Sequence, residues 1–237
     1  MPTRPTGAGS NLAKIVEKQM RNWELACAQQ IKPPDTTERP EVADFVAISR
    51  SVASGGTQVA TLLGERLQWP VFDRGILQAM AGDDHLRGRL YENMDERKVS
   101  WLEETLRWLM GGERPKDDYF YRLTEAVLAL SCQGHAVFLG RAVDLILPPE
   151  RGLRVRIDMS LERRVETFSK RHDVSMALAT AEIERIDHDR SEFRRRHFGK
   201  AADDSTRYDL TLVLDRFTPA QAADLILAAL RVRGVLS

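Results

Sequence analysis

A loop of small residues is the first part of this sequence in which chemistry is expected. Residues 49–60 read SRSVASGGTQVA; they follow a short apolar run at 44–49 and lead into a helical pattern at about 55–67. Amide N–H groups at a helix N-terminus carry partial positive charge, and glycines let the backbone curl around a phosphate without side-chain clashes. The pattern therefore predicts phosphate binding, and an ordinary turn before a glycine-capped helix is the alternative.

The loop matches the full phosphate-binding pattern only in part. That pattern reads G-x-x-x-x-G-K-[ST], with the Lys on the transferring phosphates and the hydroxyl on magnesium. Gly56 stands here at the position of the Lys, and no glycine opens the motif. If the loop holds a phosphate, the amides of Ser54, Gly55, Gly56, Thr57 and Gln58 form its cradle. Thr57 is then the predicted metal ligand.

Strands and helices alternate along the chain, and this alternation predicts how the loop is held. Apolar runs predict strands at 44–49, 135–139, 153–159 and 209–215. Helical periodicity is found at about 73–81, 86–110, 119–133, 160–171, 175–197 and 218–233. Such alternation is typical of an α/β fold whose mostly parallel sheet is covered on both faces. Ligands of these sheets bind beyond the carboxyl ends of the strands, so function is expected in the loops after Ser49, Leu139 and Met159.

Residues 1–40 are expected to form an extension ahead of a main domain at 41–237. The first ten residues read as a disordered start, and an amphipathic helix of about four turns begins at Leu12. A linker rich in Pro, Thr and charge follows at 32–40. The helix either docks on the main domain or pairs with another subunit, and both alternatives stay open.

Composition excludes several classes of protein. The 237 residues include 35 Lys and Arg against 35 Asp and Glu, a balance that argues against a DNA or RNA partner. Cys27 and Cys132 lie far apart, which predicts neither a disulfide framework nor a zinc site. No apolar run approaches the roughly 18–20 residues that span a bilayer, and no secretory signal is found. We therefore expect a cytoplasmic protein without a membrane partner.

The stretch at 47–77, AISRSVASGGTQVATLLGERLQWPVFDRGIL, resembles the opening of the cytidylate kinase-like family, a branch of the P-loop nucleoside monophosphate kinases. The phosphate loop of that family reads roughly S-R-E-x-G-S-G-G, so the absent Lys is a family trait. The similarity covers about residues 44–232. It continues through Gly140-Arg141, residues 157–164, Asp187-x-x-Arg190 and Tyr208-Asp209-Leu210.

The resemblance implies a P-loop NTPase-type three-layer sandwich with a five-stranded parallel sheet in the order 2-3-1-4-5. A helical acceptor-binding insertion is expected at about 83–133 and a lid at about 182–200. The implied activity is magnesium-dependent transfer of the γ-phosphate of ATP to a small nucleotide, with CMP or dCMP as the leading acceptor. A nucleotide sensor without turnover and a kinase of a non-nucleotide compound remain as alternatives. The oligomeric state is left open.

The resemblance also assigns roles near the phosphate loop. Because the loop lacks its Lys, Arg50 is the expected replacement cation, since two parallel N–H groups of a guanidinium can bind a phosphate. A surface ion pair is the alternative role of Arg50. The family register places the metal-binding hydroxyl one residue later than Thr57, at Gln58 in this chain, so either residue is a candidate.

The acceptor site is expected from Asp73-Arg74-Gly75 and from Gly140-Arg141-Ala142. Arg141 is carried over as a ligand of the acceptor phosphate, whereas Ala142 replaces the Asp that helps recognise cytosine. Ala79 likewise replaces an Arg of the family motif, and both departures weaken CMP as the acceptor. Asp73 has an alternative role as a helix N-cap.

The stretch at 182–200, EIERIDHDRSEFRRRHFGK, lies where monophosphate kinases keep a mobile lid. Arg190 is the stronger candidate for closing on the phosphates, and Arg185 is the weaker one. The run Arg194 to Arg196 is interpreted as surface charge.

Overall fold

Five strands form the sheet that the sequence predicts. The computed structural model describes residues 8–29, 42–92, 94–111 and 118–236. The strands are β1 (Phe45–Arg50), β2 (Val71–Phe72), β3 (Ala136–Leu139), β4 (Gly152–Asp158) and β5 (Leu210–Val213). They are parallel and lie in the order β2-β3-β1-β4-β5, with Val155 of β4 opposite Leu210 of β5. The sheet order expected from the resemblance is thereby confirmed.

Helices follow the strands as the alternation predicts. They are α1 (Ala8–Gln29), α2 (Gly56–Leu67), α3 (Arg74–Gly82), α4 (Asp84–Tyr91), α5 (Glu96–Leu109), α6 (Asp118–Ser131), α7 (Val143–Ile146), α8 (Leu161–His172), α9 (Met176–Phe198) and α10 (Pro219–Val232). Short 3-10 turns at Gly199–Asp203 and Ser205–Arg207 join α9 to β5. None of the helices described has both the length and the apolar composition needed to cross a bilayer.

Two boundaries differ from the sequence prediction. The single helix predicted at 86–110 is wrong, because two aspartates each cap a separate helix. Asp83 accepts the amides of His85 and Leu86 ahead of α4, and Asp95 accepts the amide of Lys98 ahead of α5. Helix α1 begins at Ala8, so the predicted disordered start is too long. The predicted linker lies outside the described residues.

The chain divides into two compact units. The first comprises Met1–Phe45 and Trp69–Val137, and the second comprises Val46–Gln68 and Phe138–Ser237. Helix α1 packs within the first unit, where Val16, Met20 and Trp23 are buried. The indole of Trp23 donates a hydrogen bond to the Leu130 carbonyl at 3.3 Å. These contacts favour the docked alternative for the N-terminal helix.

The second unit carries the small-residue loop between β1 and α2. Helix α10 begins with a capping box, in which the Thr218 hydroxyl accepts the Gln221 amide and the Gln221 side chain accepts the Thr218 amide. The Thr218-Pro219 start predicted for this helix is confirmed. Because β1, β4 and β5 end on the same side of a parallel sheet, the segments after them meet at one edge.

Candidate phosphate-binding site

The loop after β1 has the backbone of an anion cradle. Ala53 and Gly55 adopt left-handed conformations with φ of 58° and 85°, and α2 begins immediately afterwards at Gly56. Gly55 offers no side chain to cap the helix. The first amides of an α-helix have no intrahelical acceptor, so those of Gly56 to Gln58 are available to an anion. Thr57 and Gln58 are both exposed at this first turn.

Buried serines fix the loop against the end of β4. The Ser51 amide donates to the Ile157 carbonyl at 3.2 Å, and the Ser54 hydroxyl donates to the Ser51 carbonyl at 2.9 Å. Arg156 donates to the Ser51 hydroxyl at 2.8 Å. Burial raises the pKa of Asp158, but hydrogen bonds from Ser51 and the Met159 amide, together with the nearby Arg156 guanidinium, outweigh it and hold that pKa below its usual value. Hydrogen bonds therefore fix the loop to the end of β4 on one side.

Arg50 occupies the space in which a loop lysine would lie. A Cβ placed on Gly56 would stand 2.8 Å from the Cβ of Arg50 and 3.0 Å from its Cγ. The Arg50 side chain continues to Gly140 at the end of β3, where a Cβ would stand 2.0 Å from its Nη1. Gly56 is thus required by the path of Arg50, and a side chain at position 140 would displace the Arg50 guanidinium. The guanidinium is placed beside the loop after β3, next in sequence to Arg141.

Helix α9 is hydrogen-bonded directly to the loop at residues 50–58, the candidate phosphate loop. Asp187 accepts the Val52 amide through Oδ1 at 3.0 Å and accepts Arg164 through Oδ2 at 2.6 Å. Arg190 donates to the Arg50 carbonyl at 3.0 Å. Apolar packing supports these bonds, because Val52 is buried in a cluster with residues of α8 and α9. Those residues are Val165, Ala179 and Ile183.

A cavity of about 550 Å³ opens over the cradle within the second unit. Its walls are the loop at 50–58, one face of α8 and the segment at 214–219 that joins β5 to α10. Five arginines line it: Arg50, Arg163, Arg171, Arg190 and Arg216. Its volume falls in the range of about 300–1,000 Å³ usual for small-molecule sites. Its lining therefore suits an anionic ligand of nucleotide size.

The one carboxylate among the residues that line this cavity has a structural role. Asp215 accepts the amide of Ser160 at 2.8 Å and its hydroxyl at 2.5 Å, which ties the segment after β5 to the start of α8. These two hydrogen bonds lower the pKa of Asp215. Arg163 donates to the Asp215 carbonyl at 2.6 Å. Two walls of the cavity are thereby held together.

The loop after β3 has an unusual backbone. Gly140, Arg141 and Ala142 are three consecutive left-handed residues, with φ of 83°, 56° and 55°. Arg141 is half-buried, and its guanidinium carbon lies 5.3 Å from the ring centroid of Phe193. Left-handed non-glycine residues cost free energy and are concentrated at functional sites. The geometry thus supports a binding role for this loop.

Asp144, which follows the loop, is not free to bind a base. Its buried carboxylate accepts Arg207 at 2.7 Å, and Arg207 also donates to the carbonyls of Ala202 and Asp204. The carboxylate therefore does not replace the one lost at Ala142.

Two predicted site residues belong to the first unit. Asp73 accepts the Ile76 amide at 2.9 Å, so the N-cap alternative for this residue is confirmed. Arg74 is exposed at the first position of α3. Their role in acceptor binding stays a prediction.

Arg185 lies on the exposed face of α9. It pairs with Glu182 at 2.8 Å and with Asp189 at 3.1 Å. Ion pairs of this kind are typical of the solvent-exposed face of a helix whose sequence alternates in charge. The structure brings Arg190, but not Arg185, onto the phosphate loop.

Sequence reasoning missed Arg163, Arg171 and Arg216, which line the cavity. Arg163 and Arg171 lie eight residues apart on α8, and this spacing places them on one helix face. That spacing was the available signal. The sequence presents Asp187 only as part of the Asp187-x-x-Arg190 motif, and nothing in it indicates that this side chain accepts a loop amide.

The described residues contain no group of three or more His, Cys, Asp or Glu side chains positioned for a metal ion. Magnesium that is bound together with a nucleotide is usually held by phosphates and water, with one or two protein oxygens. Thr57 lines the cavity at the first turn of α2 and fits such a ligand.

Comparison with known proteins places the chain in a family. The model of the cytidylate kinase-like family matches residues 45–216. The chain belongs to the cytidylate kinase-like family. Membership supports a kinase-like role on a nucleotide or another small molecule. No curated protein matches the sequence significantly.

Three solved structures are similar to this chain at low sequence identity, and the first of them shares its fold. An uncharacterized protein from Eubacterium ventriosum is 21% identical, with a TM-score of 0.62 over 79% of this chain and 98% of its own. Shikimate kinase from Acinetobacter baumannii, in complex with shikimate, is 13% identical, with a TM-score of 0.41 over 81% and 95%. TT1252 from Thermus thermophilus is 20% identical, with a TM-score of 0.42 over 83% and 100%.

Proposed function

We propose that this cytidylate kinase-like chain transfers the γ-phosphate of ATP to a small nucleotide, with CMP or dCMP as the leading acceptor. The observation that carries the proposal is the uncapped start of α2 beneath an arginine-lined cavity. Phosphoryl transfer needs little covalent chemistry from the protein. It needs donor and acceptor in line, exclusion of water, and positive charge around the moving group.

The donor phosphates bind at the amides of residues 54–58 in this proposal. The remaining length of the cavity, between α8 and the segment at 214–219, then holds the nucleoside of ATP. Magnesium, when bound with the nucleotide, neutralises charge on the phosphate oxygens. Thr57 holds it in our proposal, with Gln58 as the second candidate. Arg163 and Arg171 supply further positive charge at the walls.

Arg50 acts on the transferring phosphoryl group. Its side chain runs from Gly56 in the phosphate loop to Gly140 beside Arg141, and so spans the distance between the donor cradle and the loop after β3. A guanidinium on this path contacts oxygens of either phosphate. Arg141 binds the acceptor phosphate, and Arg190, bonded to the Arg50 carbonyl, supports that arrangement from α9.

A coupled assay of ADP release tests the proposal. Purified full-length protein is incubated with magnesium and ATP, with and without each of a panel of nucleoside monophosphates, and calorimetry measures ATP binding in parallel. We expect ADP release that depends on the acceptor and is fastest with CMP or dCMP. Binding of ATP without acceptor-dependent release identifies a nucleotide sensor instead. Release that depends only on a non-nucleotide hydroxyl compound keeps the kinase and changes its acceptor.

A further inference from the structure

Three residues on one face of α9 form hydrogen bonds with the end of β1 and the loop after it. Positions 187, 190 and 194 are separated by three and four residues and so share a helix face. They contact in turn the Val52 amide, the Arg50 carbonyl and the Ser49 hydroxyl. Arg194 therefore points at the carboxyl end of β1, and its interpretation as surface charge is wrong. Arg195 beside it is the surface residue, with a side chain 63% exposed that pairs with Asp203.

The guanidinium nitrogens of Arg194 form few hydrogen bonds within the protein. Its Nη1 lies 3.4 Å from the hydroxyl of Ser49, a long hydrogen bond to a neutral group. Its Nε is buried and has no hydrogen-bond partner. Within the described ranges, no carboxylate lies at ion-pairing distance from this guanidinium. A half-buried cation with these contacts is stabilised when an anion binds, because burial of charge without a counter-charge is unfavourable.

Other guanidinium groups surround the same edge of the sheet. The Gly140 amide donates to the Ile48 carbonyl at 2.9 Å, so Ser49 and the loop after β3 are neighbours. The guanidinium of Arg50 lies against Gly140, and Arg141 is the next residue. The nearby carboxylates are engaged elsewhere, Asp187 by Arg164 and Asp144 by Arg207. Three arginines, Arg50, Arg141 and Arg194, therefore lie near the ends of β1 and β3.

We propose that Arg194 is a further substrate-binding residue, which contacts the doubly charged phosphate of the acceptor at the ends of β1 and β3. The proposal rests on the proposed kinase function and adds a residue to which the resemblance assigns no role. A phosphate monoester carries a charge of about −1.5 to −2 at neutral pH and offers three acceptor oxygens. Such a phosphate can accept hydrogen bonds from several guanidinium groups, and it suits them better than a single carboxylate would.

A pair of adjacent variants tests Arg194. Arg194→Ala and Arg195→Ala remove the same charge from neighbouring positions of α9. Calorimetry of the full chain, saturated with a non-hydrolysable ATP analogue and magnesium, measures the Kd of CMP and of inorganic phosphate. We expect Arg194→Ala to raise both values about ten- to a hundredfold, the effect of losing one charge-assisted hydrogen bond. Arg195→Ala should leave them within about twofold of the wild type. Arg194→Lys should restore part of the loss.

The outcomes separate this proposal from the proposed function. Equal acceptor affinity in Arg194→Ala and Arg195→Ala overturns the role of Arg194, while ATP binding and turnover by both leave the kinase intact. Wild-type protein that binds the ATP analogue but neither CMP nor phosphate also overturns it. If the analogue does not bind, the proposed donor site fails. The Arg194 effect is then measured on phosphate alone, and selective loss in Arg194→Ala still supports the subsite. Loss of analogue binding in Arg194→Ala means that the loop is disturbed, and contradicts a role in acceptor binding.

Discussion

Asp187 provides the sharpest test of how the phosphate loop is held. Replacing it by Ala removes the acceptor of the Val52 amide, and Val52 is only 7% exposed, so the unmet amide costs about 1–3 kcal/mol. The change also removes the ion pair with Arg164. That pair contributes about 1 kcal/mol, because the Asp187 side chain is 30% exposed and partly screened by solvent. We therefore expect Asp187→Ala to lower the free energy of unfolding by about 2–4 kcal/mol.

Asp187→Asn separates the two contributions. Its amide oxygen can still accept from Val52, but it lacks the charge that pairs with Arg164, so we expect a loss of about 1 kcal/mol. Urea unfolding of the full chain measures both variants. Asp203→Ala, which breaks the exposed pair with Arg195, is the control and should change stability by less than about 0.5 kcal/mol.

Nucleotide affinity distinguishes loop positioning from stability alone. If Asp187 shapes the cradle, the Kd of ATP at a temperature where every variant is folded should rise in Asp187→Ala and stay near the wild-type value in Asp187→Asn. An Ala variant whose unfolding free energy lies within about 0.5 kcal/mol of the wild type refutes the energetic argument. Unchanged ATP affinity in a destabilised Ala variant refutes the positioning role.

Three further changes test the site and its support. Arg50→Ala should abolish nearly all ADP release while the thermal midpoint moves little, and an active, folded variant would contradict the assigned role. Gly140→Ala should lower turnover, because a methyl group would stand 2.0 Å from Nη1 of Arg50 at a left-handed φ; turnover equal to the wild type would contradict that path for Arg50. The pKa of Asp158 is held low in the folded protein, so its stabilisation is present above the unfolded-state pKa and is lost as pH falls below about 4. Urea midpoints at pH 7 and pH 3 should therefore differ less in Asp158→Asn than in the wild type, and identical differences would contradict the role of this carboxylate.

Much of the fold follows from local signals in the sequence. Apolar runs bounded by turn residues identify β1, β3, β4 and β5 within one or two residues, because each strand is buried on at least one face. Thr218-Pro219 indicates the start of α10, because a capping residue followed by proline is typical of a helix N-terminus. Helix α7 is four residues long, too short for any periodicity to indicate it.

The sequence alone could not show which arginines lie at the site and which lie on the solvent-exposed face. Residues 182–200 alternate in charge, so periodicity does not tell which face of α9 meets the protein. The answer depends on the register of α9 against β1, which is a tertiary feature. For this reason the sequence does not indicate that Arg185 lies on the solvated face or that Arg194 reaches Ser49.

The absence of a loop lysine is a weak argument for a protein without turnover. A side chain at position 56 would begin 2.8 Å from the Cβ of Arg50, a distance that only movement of the backbone could relieve. Glycine at position 56 and arginine at position 50 therefore depend on each other. In this arrangement the positively charged side chain comes from β1 instead of from α2. Gly56→Lys should consequently fail to improve turnover and should destabilise the loop, as measured by ADP release and urea unfolding. A folded Gly56→Lys variant with faster turnover would show that the two positions are independent and that Arg50 does not replace the lysine.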